Sequence, residues 1–238
     1  MKTKAPDLRK SQDPRELPTY TLSEAAHYEL IPLANSPFLG SWAKLSSTRG
    51  QRFFKPVITL PQKNPAMLSF VNLIEAHVLD AIRRHYKITL PRVRSAVAFL
   101  RKEFGSEHPL AEQRIETDGR DLFVRAFNQL IAVSKSGQLA MPELIDAYMQ
   151  RIEWDQHGFA MRLYPFTRKR ELTEPKVIVI DPRVSFGRPV LVGTGIRTIV
   201  IAERYKAGES IDELAHDYGR DRLEIEEAIR CELAVEAA

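Results

Sequence analysis

The chain has 238 residues, 44% of them hydrophobic and 28% charged, the balance of a soluble protein able to bury a core. The single cysteine, Cys231, excludes an intramolecular disulfide and a multi-cysteine metal site. No uncharged apolar run reaches the roughly 18–20 residues of a membrane span, and Met1 to Thr19 lacks the apolar core of a secretory signal. A cytoplasmic protein with no membrane partner is expected.

The net charge of +4 is unevenly placed. Met1 to Pro56 holds 9 Lys+Arg against 5 Asp+Glu, a surplus of four positive charges. Lys176 to Ala238 holds 9 against 12, a deficit of three. If the chain touches a polyanion, the first part is expected to do so and the last part is not.

Residues 1–19 read as a disordered tail, with three prolines, many charges and few large apolar side chains. Thr21 and Glu24 then form a capping box for a helix ending near Ile31, before Pro32. Pro37 can open a second short helix to Leu45, with Phe38 and Trp42 on one face. A basic turn, Thr48 to Arg52, beside the apolar run Phe53 to Ile58 suggests a small hairpin. Leu68 to His85 carries Phe70, Val71, Ile74, Val78, Leu79 and Ile82 at helical spacing. Pro91 to Phe104 follows as a helix, stopped by Gly105.

Asp118-Gly119 between short apolar runs signals a hairpin, and Gln129 to Ser134 a strand. Pro142 to Asp155 returns to helical spacing through Ile145, Tyr148 and Ile152. Arg168 to Pro175 reads as a basic linker. Val177 to Ile180 and Val190 to Val192 are short strands, their edges open to a two-fold partner. Three helices follow: Thr198 to Lys206, Ser210 to Tyr218 with a second capping box through Glu213 and a stop at Gly219, and Arg222 to Val235.

The expected fold is α+β and mainly helical. An N-terminal winged helix–turn–helix spans 20–105, a central helix and hairpin region 106–175, and a C-terminal β-hairpin with three helices in helix–turn–helix rhythm 176–238. A helix–turn–helix lays its second helix in the major groove, and a wing adds phosphate contacts. Asn35, Ser36 and Ser41 can then reach base edges or phosphates, while Lys44, Arg49, Arg52 and Lys55 neutralise phosphates. The competing account is a plain helical subdomain with a solvated charged face. No Arg or Lys lies between Leu33 and Ala43, so base readout there rests on Asn and Ser.

Other motifs are weak. Val192-Gly193-Thr194-Gly195 lacks the third glycine of a dinucleotide fingerprint, and only helical pattern follows it, so a tight turn is the better reading. The six histidines are dispersed, and Glu75 and His77 fall on different sides of one helix. Cys231 reads as a buried thiol, and Glu226-Glu227 as a solvated face. No phosphate loop, nucleophile elbow or acid–base pair assembles, so no enzyme, cofactor or metal is expected.

The run Asp181 to Val190 with Gly193-Thr194-Gly195-Ile196 resembles the opening of a small bacterial domain found in antitoxins encoded beside PIN-type ribonucleases. Ala207-Gly208-Glu209-Ser210 through Leu214, Tyr218 and Ile225 to Ala228 is similar to its helix–turn–helix end. Tyr20 to Ala26 and Leu68 to His77 resemble the longer VapB-type members, and the opening is distantly similar to a MerR-type winged helix. The second helix departs from MerR-type readers, which carry arginine where Leu39-Gly40-Ser41 stands.

The resemblance implies an antitoxin that sequesters a PIN-type ribonuclease toxin and represses its own operon by binding duplex operator DNA as a homodimer. A dimeric transcription factor without a toxin is the alternative. PIN-type nucleases gather carboxylates in their active site, and an arginine fork matches carboxylates bidentately. Arg183 and Arg188, on the segment joining the last two strands, are the toxin-binding candidates, with Arg168-Lys169-Arg170 behind them. The competing role for Arg183 and Arg188 is pairing within their own domain, with Asp181 or Glu203.

Overall fold

The computed structural model describes residues 13–31, 43–47, 50–54, 57–86, 90–112, 147–168 and 173–233. Strand β1 (Tyr20–Thr21) leads into helix α1 (Leu22–Tyr28). The capping box forms as expected: Thr21 Oγ1 accepts from Glu24 N, and the Glu24 carboxylate accepts from Thr21 N at 2.8 Å. Residues 13–19, expected in a disordered tail, are held. Asp13 caps a turn at Pro14–Glu16, and Arg15 bridges Asp13 to Asp155 at 2.7 and 2.8 Å.

Strands β2 (Ala43–Ser47) and β3 (Gly50–Phe54) form the expected hairpin, with Lys44 opposite Phe53 and Leu45 opposite Arg52. This corrects the end of the second helix, because residues 43–45 pair as a strand; the rest of that helix lies outside the described residues. Strands β4 (Gln62–Lys63) and β5 (Ala66–Leu68) complete a small antiparallel sheet in the order β1-β5-β4.

Helices α2 (Phe70–Tyr86) and α3 (Leu90–Phe104) follow the apolar periodicity, and Gly105 ends α3 with φ 65°. Apolar positions alone do not account for α2. Asn72, Glu75, His77 and Asp80 are all buried on it. Glu75 meets His108 at 3.2 Å and Asn72 at 3.1 Å. His77 points elsewhere, with Nδ1 2.8 Å from Glu29 and Nε2 3.1 Å from the Tyr148 carbonyl. The two residues serve different faces, as their spacing requires.

The hairpin at Asp118-Gly119 and the strand at Gln129 to Ser134 lie outside the described residues. Helix geometry at 147–149 stops early, and Ile152–Trp154 is strand β6, paired with β7 (Ala160–Leu163). The helical reading to Asp155 is thereby corrected. Asp155 Oδ1 accepts from the amides of His157 and Phe159, at 2.9 and 3.0 Å, and so closes a turn that helical spacing could not reveal.

Strands β8 (Ile178–Val179) and β9 (Val190–Leu191) pair antiparallel. Their edges are engaged within the chain. Ile180 exchanges two backbone hydrogen bonds with Leu163, at 2.8 and 3.0 Å, and Val190 bridges to Arg197. Helices α4 (Thr198–Lys206), α5 (Ile211–Tyr218) and α6 (Arg222–Leu233) match expectation closely, including the Ser210–Glu213 capping box and Gly219 at φ 58°.

One large apolar cluster joins Tyr20, Ile31, Ile58, Leu68, Leu73, Leu79, Val97, Leu110, Leu163 and Ile180. A second gathers Ile178, Leu191, Ile201, Leu214, Ile225 and Cys231 under the last three helices. Each aliphatic side chain so buried contributes about 1.5–3 kcal/mol. Glu227 is also buried there, which corrects the solvated-face reading of Glu226-Glu227. Thr167 and both Arg168 and Arg230 surround its carboxylate, so its charge is compensated.

Candidate functional site

The site is built where β1 and the start of α1 meet the loop between β8 and β9. Asp181, buried at the end of β8, organises the loop. Its carboxylate accepts from the Arg183 amide, from Arg183 Nε and Nη2, and from Arg162 Nε, all at 2.9–3.0 Å. Burial opposes the charge of Asp181, but these donors outweigh it and hold the carboxyl below the usual range.

The chain then enters a left-handed run. Ser185, Phe186 and Gly187 have φ of 48°, 57° and 73°. Left-handed geometry suits glycine but costs a residue with a Cβ about 1–2 kcal/mol. The loop is nevertheless fixed on both sides. Gly187 N donates to Val184 O at 2.9 Å, Arg188 N to Ser185 O at 3.1 Å, and Ser185 Oγ to Gly195 O at 3.3 Å. Tyr20 Oη donates to Gly187 O at 2.8 Å. A Cβ at Gly187 would lie 2.5 Å from that hydroxyl, so glycine is required by contact as well as by φ. Phe186 projects from this frame with 91% of its surface exposed.

Arg188 closes the seam. Its guanidinium pairs with Glu24, donates to the Thr19 carbonyl at 3.3 Å and lies 5.9 Å over the Tyr20 ring. His27 Nε2 meets the Cys231 carbonyl at 2.7 Å, so that nitrogen carries the proton. A cleft of about 430 Å³ opens beside this seam, lined by Glu24, His27, Arg188, Arg197 and Glu232. Burial pushes the Tyr20 phenol well above its ordinary range, and it remains a donor at any ordinary pH.

Arg183 and Arg188 thus differ. Arg183 stays half-exposed at 54%, with Nε and Nη2 on Asp181 and Nη1 in no described contact. Arg188 is a seam residue, bound to Glu24 and not to Glu203. Arg168, the first of the basic linker, pairs with buried Glu227. Of the DNA-binding candidates, Lys44 and Arg52 sit on the β2–β3 hairpin; Asn35, Ser36, Ser41, Arg49 and Lys55 lie outside the described residues. Among the described residues no group of histidine, cysteine and carboxylates could hold a metal, and no helix is long and apolar enough to cross a membrane.

Most of the chain has relatives. It is 30% identical over 227 residues to a Mycobacterium tuberculosis protein named "Putative antitoxin VapB45", covering 86% of this chain and 89% of that one. The chain belongs to the VapB45 family. A second relative from that organism, "Uncharacterized protein Rv2308", is 26% identical over 76% of this chain and 77% of its own. The crystal structure of Rv2018 from Mycobacterium tuberculosis superimposes with a TM-score of 0.68 at 28% identity, over 90% of this chain and 98% of that one. Residues 178–230 match a family described as "Protein of unknown function (DUF433)". In this VapB45-family chain that segment begins in β8 and ends in α6, and so contains the left-handed loop.

Of the two roles open to these arginines, pairing within the chain is observed, Arg183 with Asp181 as expected and Arg188 with Glu24 of α1, a partner 164 residues away that no local signal identifies. Phe186 carries a signal in retrospect, a large apolar residue inside a glycine- and proline-flanked loop.

Proposed function

We propose that this chain is an antitoxin that neutralises a PIN-type ribonuclease and, as a cytoplasmic homodimer, binds duplex operator DNA to repress its own operon. The observation that supports the reading is 30% identity, along most of both chains, to the protein named "Putative antitoxin VapB45". In this reading residues 20–105 contact DNA, with Asn35, Ser36 and Ser41 at bases or phosphates and Lys44, Arg49, Arg52 and Lys55 at phosphates. The surplus of four positive charges before Pro56 supports this assignment. Residues 106–175 connect to the 176–238 module, whose deficit of three suits a protein partner.

Toxin contact is assigned to the loop between β8 and β9. Arg183 is available to a carboxylate-lined cleft because its Nη1 is in no described contact and half its side-chain surface is exposed. Arg188 acts through the seam, holding the loop against α1. The dimer contact is assigned away from β8 and β9, because Leu163 bridges to Ile180 next to β8 and Arg197 to Val190 of β9. The test is co-purification of the full chain with the product of the adjacent gene, followed by ribonuclease assay. A stable complex with suppressed activity is expected; separate elution with full activity would contradict the reading.

A further inference from the structure

We propose that Phe186 is the apolar anchor by which this chain grips its toxin, inserting into a pocket of the partner that is apolar within and carboxylate-rimmed. The proposal rests on the antitoxin reading for the identity of the partner, and adds the residue and the chemistry of the contact.

Phe186 is 91% exposed, about twice the next large apolar side chain among the described residues, Phe159 at 47%. It gains almost nothing from its own chain. It also occupies a left-handed conformation, φ 57° and ψ 36°, that glycine or asparagine would adopt at lower cost. A residue that neither packs nor suits its backbone has no folded-state reason to be phenylalanine. Strain of this kind is maintained where the surroundings impose it and a function uses it.

The surroundings do impose it. Asp181 fixes the entry to the loop through Arg183, Gly195 receives Ser185, and the Tyr20 phenol and Glu24–Arg188 pair fix the exit. Phe186 is therefore presented from a frame already ordered, so binding need not order it. Aromatic side chains on such frames are the usual energetic centre of a protein interface, with arginine the common companion. Arg183 stands before it with Nη1 directed to no described partner, and Arg197, exposed, stands beyond the Gly193–Gly195 turn in no described ion pair. These cations match carboxylates at a pocket rim. A nucleic acid is disfavoured because the module carries three more acidic than basic residues.

The test compares the full-length wild type with Phe186→Gly and Phe186→Trp, titrated calorimetrically against the purified protein encoded by the adjacent gene. Phe186→Gly relieves the left-handed strain, so it is expected to fold with an unchanged or higher Tm while losing at least tenfold in affinity. Phe186→Trp is expected to keep affinity within a few-fold. Unchanged affinity of Phe186→Gly, with wild type binding normally, would overturn the anchor and leave the antitoxin reading intact. Loss of self-association or of duplex DNA affinity in Phe186→Gly, with toxin affinity unchanged, would overturn it as well and reassign the residue. No binding by wild type would overturn both readings together.

Discussion

The buried phenol of Tyr20 donates to the carbonyl of Gly187, 2.8 Å away and 167 residues later in the chain. The contact leaves no room for a side chain at 187, since a Cβ there would stand 2.5 Å from the hydroxyl and 3.5 Å from Tyr20 Cζ. Gly187→Ala is expected to destabilise by about 2 kcal/mol or more, from the clash and from φ of 73°. Tyr20→Phe alone is expected to cost about 1 kcal/mol, for one buried hydrogen bond. The double variant should be more stable than the sum of the singles predicts, because removing the hydroxyl relieves the clash. Urea denaturation of the four proteins measures this, and simple additivity would contradict it.

Arg188 and Arg183 are expected to separate in their effects. Arg188→Ala breaks the pair with Glu24 and uncovers the Tyr20 ring, and should lower stability by about 1–2 kcal/mol. Arg183→Ala removes a half-exposed partner of Asp181 and should cost under about 1 kcal/mol, while weakening toxin binding. Denaturation curves and toxin titrations on the two single variants separate the roles; equal loss of stability would contradict the assignment.

One histidine and two carboxylates predict opposite dependences on pH. The Glu75 carboxylate beside His108 raises the imidazole above its ordinary value despite partial burial. This contribution is fully present below the unfolded histidine value, about 6.5, and is lost as pH rises through the folded value. His108→Gln should flatten the decline of Tm on the alkaline side. Asp181 and Glu24 are held low in the fold, so their contribution is present above ordinary carboxylate values, about 4, and is lost as pH falls through the folded values. Asp181→Asn should flatten that acid limb. Thermal melts across pH check both signs.

Operator binding should fall with salt, log affinity against log salt having a slope of about −0.9 for each neutralised phosphate. Arg49→Ala with Arg52→Ala should weaken all duplexes alike and reduce the slope by about two. A fluorescence-anisotropy titration at several salt concentrations reads this, and an unchanged slope would exclude the hairpin from the DNA surface.

Local signals were legible where structure is local. The Thr21–Glu24 and Ser210–Glu213 boxes, the Gly105 and Gly219 stops and the limits of α4 all follow from neighbours within one or two turns. What tertiary contact decides was not legible. Ile152 to Trp154 has residues of helical spacing, but pairing with Ala160 to Leu163 makes it a strand. Glu227 has the composition of a solvated face, yet Thr167 and Arg168 cover it from another segment. Sequence spacing brings out neither the exposure of Phe186 nor the pairing of half-buried Arg188 with Glu24 of α1, because both depend on how the β8–β9 loop meets a segment far away in the chain.

Silencing of a ribonuclease is the activity proposed for this chain. The most direct measurement is cleavage of a labelled RNA by the purified product of the adjacent gene, with the full chain added in rising amounts. Activity should fall to background near one chain per toxin. Undiminished cleavage at a several-fold excess of folded chain would contradict the account.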